Sequence, residues 1–187
     1  MSSVETYYSP EERRRLLELI PAALSRGVRG EPSPEFAPEE FSFRLCEARA
    51  VFVTLRKADR LRGCMGSLTA EQPLYMNVLT NAWSAAFRDP RFPAVRVDEL
   101  ELIRGSISVL SPLTLVPFEG EGDLLSRLRP GVDGLLLRGD GQSGTFLPAV
   151  WEQLPDPGEF LRKLKAKAGV KDLHGVRAFR YTTESFS

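Results

Sequence analysis

The segment Leu61-Arg62-Gly63-Cys64-Met65-Gly66 places a thiol two residues from a guanidinium and between two glycines. The thiolate is the reactive form of cysteine, and a neighbouring guanidinium lowers the pKa that controls it. Read as a strand, alternation puts Arg62, Cys64 and Gly66 on one face and Leu61, Gly63 and Met65 on the other. Glycine inside a strand marks a bulge or the close approach of a ligand or another backbone. Two readings follow. In one, Cys64 is a reactive thiol or part of an anion-binding notch, with Arg62 as a fixed fork for carboxylate or phosphate. In the other, Cys64 is a buried structural cysteine beside a glycine pair, because free cysteine is among the most buried residue types.

A second candidate is Asp89-Pro90-Arg91-Phe92-Pro93. Two prolines stiffen the segment and hold Asp89 and Arg91 in fixed directions, which suits a binding rim. The plainer reading is a helix stop, with Asp89 bonded to local backbone and Arg91 in a surface ion pair. The run Gly139 to Gly144 lacks the Lys and Ser/Thr of a phosphate loop and reads as a hairpin turn. Arg162, Lys163, Lys165 and Lys167 line one side of a helix whose apolar stripe is Phe160, Leu161, Leu164 and Ala168, so a solvated basic face is expected there. His174 sits in a polar turn. A general base needs a positioned nucleophile and an orienting partner, and no pattern around His174 supplies them. Cys46, Cys64 and His174 show no metal-ligand spacing, so no metal and no cofactor are expected.

Charge and composition narrow the function classes. The 187 residues carry 25 basic and 25 acidic side chains, a formal net charge of zero. Nucleic-acid binding draws its affinity from phosphate neutralisation, so this balance speaks against it. The single histidine rules out a multi-histidine metal site, and two cysteines make no disulfide framework. The hydrophobic fraction of 42% and charged fraction of 27% are those of a folded chain. No apolar run approaches the roughly 18 residues of a membrane span. Met1-Ser2-Ser3-Val4-Glu5 has no signal-peptide pattern, and a cytoplasmic location is expected.

These candidate residues must be positioned by ordinary elements. Ser9, Pro10 and Glu12 spell a helix start with a capping box, Leu16, Ile20, Ala23 and Leu24 follow at helical spacing, and Gly27 reads as the C′ stop. Ala50 to Leu55 is a strand, Lys57 to Asp59 a polar turn, and Arg60 to Leu68 the returning strand. A helix from Pro73 to Phe87 buries Leu74, Val78, Ala82, Ala85 and Ala86 and stops at Asp89-Pro90. Leu102 to Leu110 is a strand with Ile103, Ile107 and Val109 on one face and Arg104, Ser106 and Ser108 on the other. The order then repeats. Gly134 to Arg138 and Thr145 to Leu147 flank the glycine turn, Pro148 to Leu154 is a short helix, Asp156-Pro157-Gly158-Glu159 opens a helix ending at Gly169, and Val176 to Thr182 closes the set. The expected class is α+β, with pseudo-duplicated strand-turn-strand-helix-strand halves in a mixed, partly barrel-like sheet flanked by helices.

At Leu61-Arg62-Gly63-Cys64-Met65-Gly66 the chain resembles the AMMECR-domain family, whose prokaryotic members are called AmmeMemoRadiSam system protein A; its motif is LRGC, an aliphatic residue, then glycine. The resemblance extends over Phe52-Val53-Thr54-Leu55, Asn81-Ala82, Ala85-Ala86-Phe87, Asp89-Pro90-Arg91-Phe92 and Ser108 to Pro112. It continues over Thr145 to Pro148, Val150-Trp151, Glu159-Phe160-Leu161 and Lys167-Ala168-Gly169, roughly residues 10 to 186 in all. It implies one α+β domain over residues 1–187, with a larger and a smaller subdomain, and no known reaction. It implies Memo-like and radical-SAM proteins as partners. Two positions depart from the family. Many members have histidine where Asp133 stands, and many eukaryotic members have cysteine near Lys165.

The leading expectation is a cytoplasmic binding or accessory protein, with an unidentified small ligand or partner meeting Arg62, Gly63, Cys64 and Gly66, and with Asp89 and Arg91 at the rim. The rival is an enzyme or enzyme subunit using Cys64 as nucleophile or covalent carrier. A nucleic-acid-associated regulator is a third class, resting only on the basic helix near Leu161.

Overall fold

A computed structural model describes residues 7–139 and 141–187. Met1 to Glu5 and Asp140 of the glycine turn therefore lie outside the described residues. The chain divides into two compact units. One runs to Leu110 and regains Glu184–Ser187; the other is Ser111–Thr183.

The first unit begins with helix α1, Pro10–Gly27. Ser9 and Glu12 form the reciprocal capping box, as their spacing requires. Gly27 is the last helical residue and does not turn left-handed; the helix ends through Val28 in a right-handed conformation. The role of Gly27 is space, because a Cβ there would lie 2.1 Å from the Phe87 ring. After Pro38–Glu40, one turn of 3-10 helix, comes the short helix α2, Phe43–Cys46.

Strands β1, Val51–Lys57, and β2, Arg60–Ser67, form a hairpin. Its two turn residues, Ala58 and Asp59, have φ of 47° and 61°. Positive φ at both positions is the type I′ turn, whose twist matches that of the flanking strands. Helix α3, Leu74–Phe87, buries the expected stripe. The segment Val97–Leu102, also 3-10, leads into β3, Ile103–Leu110. α1 and α3 cover the face of the sheet formed by Val51, Val53, Leu55 and Ile107, each fully buried. Burial of each such side chain contributes about 1.5–3 kcal/mol.

The second unit contains β4, Thr114–Val116; α4, Glu121–Ser126; β5, Gly134–Arg138; and β6, Ser143–Phe146. Pro148–Glu152 is 3-10, and α5, Pro157–Ala168, follows. Asp156 caps α5 by accepting from the Glu159 N–H, and Gly169 ends it at φ 74°. Only glycine takes that left-handed cap without strain. β7, Arg177–Tyr181, completes the unit. β8, Thr183–Phe186, is the last strand.

The fold is α+β, with strands in two sheets, β2-β1-β3-β8 and β4-β7-β5-β6. The β1–β2, β1–β3, β4–β7, β5–β6 and β5–β7 pairings are all antiparallel. Two open sheets thus stand in place of the single mixed, partly barrel-like sheet that strand order alone suggests. The physical reason is that each half closes its own core: α1 and α3 pack on the first sheet, and α5 packs on the second. The duplicated order holds within each unit, because β2-β1-β3 and β6-β5-β7 are built by the same sequence of elements.

Candidate functional site

The motif lies on β2, at the edge of the first sheet. Its alternation is broken. Leu55 pairs with Gly63 and Arg56 with Leu61, so Arg62 is an extra residue, a bulge. Leu61 is 38% exposed and Gly63 is buried, so the two do not share one face. The bulge changes what Arg62 does. Arg62 is only 9% exposed. Its Nε and Nη2 donate to the two carboxylate oxygens of Glu99 at 3.0 and 2.9 Å. Lys57 and the Arg96 N–H also donate to Glu99. The fork expected to meet a ligand is thus occupied inside the protein, and its Nη1 is buried without a hydrogen-bond partner among the described residues. The Arg62 guanidinium, aided by Lys57, holds the Glu99 carboxyl down to about 2.

Neither motif glycine is open to a ligand on its side-chain face. A Cβ on Gly63 would lie 2.1 Å from the Ala85 carbonyl oxygen of α3. A Cβ on Gly66 would lie 2.3 Å from the Phe52 ring. Both glycines therefore admit the protein's own atoms, which is the packing reading of a glycine in a strand.

Cys64 and the Asp89–Arg91 turn do come together. Thr54 and Cys64 are register partners, and the Thr54 hydroxyl donates to Sγ at 3.3 Å. The Cys64 N–H donates to Asp89 Oδ2 at 2.9 Å, and Arg91 Nη2 donates to the Cys64 carbonyl at 3.3 Å. An edge strand leaves such backbone groups unpaired, and the rigid turn satisfies them at this residue. Asp89 is 4% exposed. It also accepts from the Arg91 N–H, Nε and Nη2. The Arg91 guanidinium and the Cys64 N–H hold its carboxyl well below the usual carboxylate range. The Arg91 side chain stays 55% exposed.

Cys64 and Cys46 are free and half-buried. The thiol of Cys46 donates weakly to the Pro38 carbonyl at 3.6 Å. His174 is exposed and belongs to the other unit; its N–H donates to Asp172. The basic helix α5 pairs Arg162 and Lys163 with Glu159 and Lys165 with Glu121. Asp133 is buried; burial pushes its carboxyl up, but the Arg129 side chain and N–H hold it below the ordinary range. Its carbonyl accepts from the Trp151 indole at 2.7 Å. Among the described residues no group of three or more His, Cys, Asp or Glu is placed to hold a metal. None of the described helices is long and apolar enough to cross a membrane.

Sequence reasoning missed Glu99 and Thr54. Glu99 is one of three acids in Val97-Asp98-Glu99-Leu100-Glu101-Leu102, and nothing in that run sets it apart from Asp98 and Glu101. Thr54 had no signal either, because only register places it opposite Cys64.

Comparison with known proteins agrees with this architecture. The family model described as AMMECR1 matches residues 17–186. A protein of Methanothermobacter thermautotrophicus is 37% identical over 166 residues, covering 87% of this chain and 84% of its own length. One of Thermotoga maritima is 36% identical over 155 residues, covering 81% of this chain and 83% of its own. The crystal structure of the uncharacterized protein PH0010 from Pyrococcus horikoshii is similar, with a TM-score of 0.86 and 29% identity. That likeness covers 95% of this chain and 91% of that one.

Proposed function

The chain belongs to the AMMECR1 family, and from that premise we propose that it is a cytoplasmic binding or accessory protein acting through the edge of β2. Residues 1–187 work as one domain in this reading. The observation that carries it is the clamp on Cys64. Both of its outward backbone groups are held by Asp89 and Arg91, while the Arg91 guanidinium stays exposed. A strand edge fixed in this way offers a preorganised surface, which lowers the ordering cost of docking. Arg62, Gly63 and Gly66 build that surface from behind; Cys64 and Arg91 present it. The partners in this reading are Memo-like and radical-SAM proteins of the same cell. The test is association of the purified proteins by analytical ultracentrifugation. Arg91→Glu should abolish a complex that the wild-type chain forms, and the absence of any wild-type complex would end the reading.

The second reading makes Cys64 a nucleophile or covalent carrier. It is supported by the half-exposed thiol with the Thr54 hydroxyl at 3.3 Å. Alkylation of the folded protein with Cys46 replaced checks it. A Cys64 thiol inert until unfolding would eliminate this reading.

A further inference from the structure

Arg56 on β1 and Arg104 on β3 are direct register partners. Both are exposed and lie on the sheet face opposite α1 and α3. Like charges placed directly opposite across a ladder are destabilising. Among the described residues neither guanidinium meets a carboxylate. Arg56 Nη1 donates to the Asp59 carbonyl at 3.0 Å, and Arg104 Nη1 donates to the Glu101 and Ile103 carbonyls at 2.9 and 3.2 Å. Each guanidinium is therefore held by one end, with no carboxylate partner among the described residues. The next pair on the same face, about 7 Å along the strands, is Thr54 and Ser106. The Ser106 hydroxyl makes no hydrogen bond among the described residues.

The second unit contains the corresponding pair, Arg138 on β5 opposite Arg177 on β7. There both guanidiniums lie over the Phe179 ring, at 5.6 and 5.9 Å from its centroid. A ring face offsets the repulsion. The first unit has Ser106 in the place of Phe179, so its pair has no such internal relief.

The geometry points to a binding site for a phosphate group on the outer face of the first sheet, held by Arg56 and Arg104 with a hydroxyl donor from Ser106; the Thr54 hydroxyl beside it is already given to Cys64. Two guanidiniums and one free hydroxyl match the charge and the several acceptor oxygens of a phosphate monoester. A carboxylate, with one charge and two oxygens, would be satisfied by a single fork. The site requires no reactivity of Cys64 and no protein partner, so it goes beyond the function proposed above.

The test is an NMR titration of the full chain with inorganic phosphate at constant ionic strength. Saturable shifts are expected at the Thr54 and Ser106 amides and the Arg56 and Arg104 Nε–H signals. Arg104→Glu should weaken binding about tenfold or more and remain folded, because it turns a like-charge pair into an opposite one. No saturable response, or one that Arg104→Glu leaves unchanged, would overturn the proposal. Loss with Arg91→Glu but not with Arg104→Glu would move the anion to the β2 edge and also overturn it. A chain that binds phosphate as expected but forms no complex with the partner proteins would leave this site standing and remove only the function proposed above.

Discussion

The two units solve one packing problem in the same way and then use their outer faces differently. In each, the first strand of a hairpin becomes central, the hairpin partner becomes an edge, and a strand after the helix takes the other side. The likeness reaches single residues. Gly63 opposes the core Leu55, and Gly144 opposes the core Leu137. A Cβ on Gly63 would meet the backbone of Ala85 in α3 at 2.1 Å; one on Gly144 would meet the backbone of Ala168 in α5 at 2.7 Å. Each glycine lets the following helix close onto the edge strand. The glycine of the LRGC motif thus has a structural counterpart in a unit without that motif. The difference lies on the other face, where Phe179 covers one arginine pair and Thr54 and Ser106 leave the other open.

The largest expected effect contrasts buried with half-exposed charge. Glu99→Ala strands the buried Arg62 and should cost about 3–5 kcal/mol in urea unfolding. Asp133→Ala frees an Arg129 whose side chain is 59% exposed, so about 1–2 kcal/mol is expected. Equal losses would break the contrast. Next, Gly63→Ala should cost about 3 kcal/mol and Gly144→Ala somewhat less, following the two clearances. A neutral Gly63→Ala would show that α3 yields where the structure has it fixed.

Acid should act on the same contacts. The Glu99 carboxyl is lowered from 4.5 to about 2 on folding. Its stabilisation is complete above the unfolded value and is lost as pH falls from about 4.5 towards 2. Asp89 is shifted in the same direction. Glu99→Gln should flatten that part of the stability–pH curve, and an unchanged slope would place the proton uptake elsewhere. The smallest effect sharpens the contrast between faces. Arg104→Glu should stabilise the fold by about 0.5 kcal/mol, whereas Arg177→Glu should gain less or lose, because a cation over Phe179 goes with it. Thermal unfolding of both variants measures the difference.

Much of the fold was legible in local pattern. The capping box at Ser9, the stripe of α3 and the stop at Gly169 are written within single helical segments, where hydrogen bonding is local. The short elements Phe43–Cys46, Thr114–Val116 and Glu121–Ser126 were not, since so few residues carry no periodic signal. At the site, the bond of Asp89 to local backbone and an ion pair at Arg91 were legible in one stiff turn. The grip of these two residues on Cys64, across 25 and 27 positions in sequence, was not.

The sequence by itself determined the α+β class, the duplicated order of elements, and the apolar stripes of the long helices, because those depend on spacing along one segment. Tertiary structure alone decided that Arg62 is turned inward to Glu99. It alone decided that the motif glycines are filled by Ala85 and Phe52, and that Arg56 faces Arg104. A bulge shifts every side chain beyond it, and register fixes which neighbours meet across strands. Neither is set by the local sequence, so the chemistry of this face follows from pairing rather than from the motif.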